Sequence, residues 1–308
     1  KKFGLVLSEP NAIVLNWAQY RIGDGAWSKK AKEILAIDAE TRDALGVRHR
    51  GGAMCQPWAR PKSEDAKSIG LGLRYTFDVK AIPSGEIALA LEFPERFEIR
   101  VNGVLVPSDS DAGWWTDRSL RRLPFDPTVL RIGENTVELV CRYAAGHGLE
   151  YMYLLGNFGV AVKELSTTMT AMPAELAIGD WVKQGLPFYG GNVTYCTKLA
   201  TPEVKKGERV FLEFGEWRGA AMRVFVGGEE ACTIAWAPYE ADITRFCGKG
   251  AIDLRIEVLG HRRNSHGPFH LNEKWPAWTG PDSFQVQVEQ YQLVPCGLLQ
   301  APKLSIRS

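Results

Sequence analysis

Long apolar runs, paired cysteines and an excess of either charge are all missing from this 308-residue sequence. No window approaches the roughly 18 continuous apolar residues that cross a bilayer, and the opening Lys1-Lys2-Phe3 is not a signal peptide, so no membrane partner is expected. The chain also opens without an initiator methionine, as expected of a piece cut from a longer polypeptide. With 37 basic residues against 36 acidic ones, the net charge of +1 supplies no field toward phosphate backbones, and no nucleic-acid partner is expected either. The six cysteines, Cys55, Cys141, Cys196, Cys232, Cys247 and Cys296, show neither a C-x-x-C pair nor metal-ligand spacing, and read as mostly buried thiols. A disulfide between distant strands stays open, and with it the compartment; a secreted or periplasmic setting goes with the longer-polypeptide reading.

Familiar reaction signatures are missing too. The five histidines, His49, His147, His261, His266 and His270, include no H-E-x-x-H, and Gly267-Pro268 breaks any helix between the last two. There is no G-x-S-x-G elbow, no cysteine in a papain-like setting and no G-x-G-x-x-G between strand and helix, which removes the corresponding nucleophiles and a dinucleotide. Carboxylate pairs such as Glu213 with Glu216, or Glu92 with Glu95, serve acid-base chemistry only if they converge on a cleft; at strand ends they are expected to face solvent. Ser108-Asp109-Ser110-Asp111 offers carboxylate oxygens to a structural Ca²⁺ but lacks the spacing of a dedicated site, and reads as a solvated turn. No catalytic residue, metal or cofactor is assigned.

What is present is the composition of a folded protein, 45% hydrophobic and 24% charged, long enough for two cores. Ala12 to Ile22 alternates as one half-buried strand, and Ser28 to Gly46 is the helical candidate, with Ser28 as cap and Gly46 as stop. The stretch from Arg50 to Trp58 is too rich in Gly and Pro for a long element, and a polar loop follows through Asp65. From Leu71 short alternating strands recur between Pro and Gly turns, at Leu73 to Val79, Ile87 to Phe93, Phe97 to Val106, Trp114 to Leu123, Thr136 to Tyr143 and Tyr151 to Val162. A second cycle follows the small polar stretch Ser166 to Pro173. Leu89-Ala90-Leu91-Glu92-Phe93 matches Phe211-Leu212-Glu213-Phe214, and Phe97 to Gly103 matches Met222 to Gly228. Gly133 to Val140 matches Gly250 to Val258 in the same order. The expected fold is all-β: two tandem jelly-roll β-sandwiches at 67–172 and 173–308, with an N-terminal extension at 1–66 that holds a short helix and packs on the first.

Asn102-Gly103, then Trp114-Trp115, then Gly133-Glu134-Asn135-Thr136-Val137 resembles the galactose-binding-like jelly roll of family-2 glycoside hydrolases. His261 to His270 followed by Trp278-Thr279-Gly280-Pro281-Asp282-Ser283-Phe284 resembles loops in the C-terminal sandwiches of bacterial hydrolases related to family 2 and family 106. The resemblance implies sugar-binding accessory sandwiches, with the reacting carboxylates on a separate upstream barrel of the same polypeptide. No barrel-like alternation of strands and long helices occurs here.

Sugar binding needs aromatic faces that stack on a pyranose and planar polar groups that fix its hydroxyls. The densest such mixture among the ten tryptophans is the loop with His261, Arg262, Asn264, His266, His270, Trp275 and Trp278. A second mixture, around Trp181 and Tyr189, precedes Gly190-Gly191, where the backbone could approach a ligand or another strand. For both clusters ligand binding stands beside packing, the ordinary fate of such side chains. The expected function is a non-catalytic, carbohydrate-associated accessory region of a larger glycoside hydrolase. Two alternatives remain: a purely structural brace for an upstream catalytic domain, and an independent glycan-active enzyme using unrecognised carboxylates.

Overall fold

The computed structural model describes residues 2–50, 67–248 and 250–308, so the Gly- and Pro-rich stretch with Cys55 lies outside the described residues. The chain forms two compact β-sandwich units built from non-contiguous segments. One comprises Lys1–Pro10, Pro173–Ser265 and Leu293–Ser308; the other comprises Asn11–Met172 and His266–Gln292. The described residues among the first 66 therefore do not form one extension: the strand Lys2–Leu7 pairs with Val193–Ala200, while Asn11–Leu15 pairs with Met152–Gly156.

The Asn11–Met172 unit opposes a five-stranded sheet to an eight-stranded one. Ser68–Val79 shows why these residues form a sandwich strand: Leu71, Leu73, Tyr75, Phe77 and Val79 point inward, and Thr76 and Asp78 face water. It pairs along its length with Gly133–Ala144, which buries Val137, Leu139, Cys141 and Tyr143 by the same alternation. In the other unit Val193–Ala200 pairs with Ala251–Leu259, which pairs with Ala221–Val226. These strands reproduce the neighbour relations of Ser68–Val79, Gly133–Ala144 and Glu98–Val101. Arg209–Glu213 beside Glu240–Asp242 likewise reproduces Ile87–Glu92 beside Asp117–Phe125. The duplicated grammar of the sequence is a duplicated strand order.

Three elements differ from the sequence reading. The run from Ala12 to Ile22 is two strands, Asn11–Leu15 and Trp17–Ile22, in different sheets, with buried Asn16 as the corner. The first part of the small polar stretch, Ser166–Thr170, is a strand, whose β-branched threonines suit the parallel pairing it makes beside Asp78 and Val79. The helix is Ile34–Leu45, ended as expected by Gly46 in the left-handed conformation, but capped by Glu33. Ser28 is unavailable as a cap because its hydroxyl accepts from Tyr20 N and donates to the Lys30 carbonyl.

The Asn-Gly and G-x-N motifs prove to be one structural device. Asn102 and Gly103 take φ of 49° and 83°, the left-handed pair that a tight two-residue hairpin requires. Asn102 Nδ2 then donates to Asn135 Oδ1 (2.7 Å), and Asn135 Nδ2 donates to the carbonyls of Arg131 (2.7 Å) and Gly133 (2.8 Å). Arg131 N completes the set by donating to Asn135 Oδ1. Asn135 is fully buried, so Asn135→Ala orphans several polar groups at once. It is expected to lower the unfolding free energy by about 2–4 kcal/mol in a urea titration.

Candidate functional site

The loop after Ala251–Leu259 is divided between the units at Ser265/His266. Of the candidate residues, Trp181, Tyr189, His261, Arg262 and Asn264 belong to one unit, and His266, His270, Trp275 and Trp278 to the other.

In the first group the polar atoms are mostly engaged within the fold. Trp181 and Tyr189 are buried edge-on, with ring centroids 6.4 Å apart, and the Tyr189 hydroxyl accepts from Ser8 N and donates to the Asn192 carbonyl. Asn264 acts as a backbone clip, donating to the Val294 carbonyl (2.8 Å) and accepting from Val294 N (2.9 Å). Arg262 grips Glu9 with both terminal nitrogens. His261 Nε2 lies 3.5 Å from Cys296 Sγ, a juxtaposition invisible in the sequence. It is chemically quiet: burial, reinforced by Asp180, pushes the Cys296 thiol up to about 12, while burial lowers the His261 pKa. Both partners are neutral, so no thiolate is available as nucleophile.

Gly190, Gly191 and Gly260 answer the question of close approach. A Cβ on Gly260 would sit 2.1 Å from the Gly191 carbonyl oxygen, so the glycines bring two backbone segments together.

In the second group His266 is stacked on Trp115 at 5.6 Å, lies 5.4 Å from Tyr153, and has its Nε2 3.2 Å from the Thr116 hydroxyl. Thr116 holds φ of 59°, a strained conformation for a β-branched residue, at the turn between Trp114–Trp115 and Asp117–Phe125. His270 is buried, and its tautomer follows from its partners. Trp17 Nε1 (3.1 Å) and Asn16 Nδ2 (3.0 Å) are donors only, so Nε2 must accept both. Nδ1 therefore carries the proton and donates to the Gln290 carbonyl at 3.0 Å. Tyr291 donates to Asn16 Oδ1 at 2.7 Å, so both ends of the intervening segment converge on the Asn16 side chain. Between them Trp275 and Trp278 stand 61% and 79% exposed. The Trp278 indole folds over Gly280, where a Cβ would meet Nε1 at 3.0 Å. Phe284, the last residue of the W-x-G-P-x-x-F element, faces Tyr151 at 6.2 Å.

One buried carboxylate, Glu33, escaped the sequence reading. Glu33 accepts Leu35 N and Ala36 N on Oε2, whereas Oε1 is buried and closes no hydrogen bond among the described residues. Burial pushes its carboxyl up to about 7 and the Glu150 charge adds to the rise, against the helix amides and the Tyr151 phenol. Glu92 is also raised, by burial and by Glu150, and accepts from the Ser119 hydroxyl at 3.0 Å. Glu213 is instead held low by its hydrogen bonds from Ser305 and Arg307, which suits a sheet-surface ion pair. Asp111, in the acidic turn, is bound by Arg121 Nε at 2.7 Å and by Gly113 N at 2.8 Å.

No protein-family model and no curated protein matches the chain. Among solved structures it is similar to a rhamnosidase from Novosphingobium sp. PP1Y, at 21% identity and a TM-score of 0.34, over 79% of this chain and 22% of that one. It is also similar to an anti-sigma factor domain-containing protein, at 13% identity and a TM-score of 0.19, over 63% of this chain and 76% of that one. A third is a beta-D-mannosidase from Dictyoglomus thermophilum, at 10% identity and a TM-score of 0.30, over 82% of this chain and 31% of that one. Two of the three carry the names of glycoside hydrolases, and this chain spans 22% and 31% of their lengths.

Proposed function

We propose that this chain is a carbohydrate-associated accessory region of a larger glycoside hydrolase, contributing sugar contact rather than bond cleavage. The observation that carries the reading is the segment from His270 to Tyr291: both ends are fixed on Asn16, and two indoles stand at the surface between them. An anchored loop holds exposed aromatic faces without having to order them on binding, which suits stacking on the apolar face of a sugar ring. The remaining candidate residues then serve as framework, each within its own unit. The sequence motifs that resemble those of family-2 and family-106 hydrolases support the same reading.

Calorimetric titration of the intact chain against a panel of neutral mono- and oligosaccharides tests it. Binding is expected with one class of sugar, and Trp278→Ala together with Trp275→Ala is expected to weaken it by about tenfold or more, since an aromatic stack is worth about 1 kcal/mol beyond its buried area. Folded protein that binds none of the panel would overturn the reading in favour of a brace. Turnover of aryl glycosides by this chain would overturn its non-catalytic part.

A further inference from the structure

We propose that Glu33 is a proton-operated latch for the segment 270–291: neutral, its carboxyl is accommodated beneath the segment, and ionised, it releases it. The basis is a contiguous set of contacts within one unit. Glu33 is 2% exposed and caps the helix Ile34–Leu45 through Oε2 alone. Its other oxygen and the Tyr151 hydroxyl are both buried and meet no partner at full hydrogen-bond geometry among the described residues, although the phenol lies near enough to hold the Glu33 carboxyl down against burial. Tyr151 is the floor of the segment: Phe269 stacks on it at 5.7 Å, and Phe284 rests against it at 6.2 Å. The Asn16 amide acts on the same phenol, and Asn16 carries both anchors, His270 and Tyr291. The Asn16 carbonyl in turn accepts from Ile34 N, so the helix start and the anchoring residue are joined through the main chain.

The groups facing Glu33 make ionisation costly. Tyr75, Tyr151 and Tyr291 surround it, and burial raises all three phenols well above their ordinary values, so they stay neutral throughout the relevant range. The charged neighbour is Glu150, of the same sign, itself paired with Arg50 at 2.5 Å. Among the described residues Glu33 has no ion-pair partner. A proton on Oε1 leaves Oε2 free to keep capping the helix and finds the Tyr151 oxygen as its acceptor. Without that proton an anion is buried with no cation, and it is relieved by admitting water or swinging outward, either of which displaces Tyr151. His270 limits the device at the acid end, because a proton on its Nε2 would remove the acceptor used by Asn16 and Trp17; burial keeps its pKa low.

The folded carboxyl is raised to about 7 from an ordinary value of 4.5, so its contribution is complete below the ordinary value and is lost as pH rises through about 7.

Hydrogen–deuterium exchange of the intact chain across pH, corrected for intrinsic exchange, reads the latch directly. Protection of residues 270–291 is expected to fall by about tenfold or more between about pH 6 and pH 8, while Glu33→Gln, which mimics the neutral acid, stays flat. Parallel loss of protection in both proteins would sink the proposal. Should the glutamine variant not fold, infrared spectroscopy of the parent decides. A protonated-carboxyl band at about pH 6 that vanishes in step with loop protection supports the latch, and its absence overturns it.

Discussion

Asp38→Ala is expected to lower the unfolding free energy by about 3–5 kcal/mol, because it leaves a buried guanidinium without its counter-charge. Asp38 and Arg42 lie one turn apart on the buried face of the helix, with side chains 4% and 6% exposed and Nε 2.7 Å from Oδ2. The other carboxylate oxygen accepts from the Tyr143 hydroxyl (2.6 Å) and from Leu149 N (3.0 Å). Arg42 meanwhile donates to the carbonyls of Arg48, Ala145 and His147, tying the turn after the strand Gly133–Ala144 to the helix. Alanine therefore removes a charge partner and orphans two further donors. Asparagine retains an acceptor for Tyr143 and Leu149 and is expected to cost about half as much in the same urea titration. Equal losses for the two variants would show that the retained acceptor contributes nothing and that the whole effect comes from the lost charge.

Gly260→Ala is the second large effect, expected at about 3 kcal/mol or more. The new Cβ would fall 2.1 Å from the Gly191 oxygen and 2.7 Å from the Gly190 oxygen, and those atoms are backbone, not the movable end of a side chain. Relief requires separating Gly190-Gly191 from the end of the strand Ala251–Leu259, which carries the sheet of that unit. Gly85→Ala is a useful comparison: nothing lies within 4 Å of its Cβ position, and only the positive φ of 95° is strained. It is expected to cost about 1 kcal/mol. Thermal unfolding of the two variants side by side checks both, and a Gly260 variant as stable as the Gly85 variant would refute the close-approach explanation.

The strands were legible wherever one face is buried and the other wet. Ser68–Val79 and Gly133–Ala144 alternate in sequence as they do in space, and the duplicated order of their neighbours could be read from pattern alone. The corner at Asn16 was not legible, because a polar residue in an alternating run looks like an outward position. It is buried instead, on partners about 250 positions or more away, at His270 and Tyr291. Glu33 was hidden for a related reason: glutamate before an apolar run reads as an ordinary helical residue, and only the tyrosines packed around it disclose its environment. Composition singled out tryptophans as a class but could not sort them. Trp181 is buried whereas Trp275 and Trp278 are exposed, a distinction set by tertiary packing.

The strand Lys2–Leu7 lies inside the six-stranded sheet, between Glu175–Ala177 and Val193–Ala200. Cutting the gene at the Met172/Pro173 junction would thus not liberate a self-sufficient C-terminal piece. The severed fragment would expose the unpaired rim of Val193–Ala200, a template for pairing with other chains, and would be expected to aggregate. During synthesis the same arrangement makes the strand Lys2–Leu7 wait until Val193–Ala200 has been made before that part of its sheet can close.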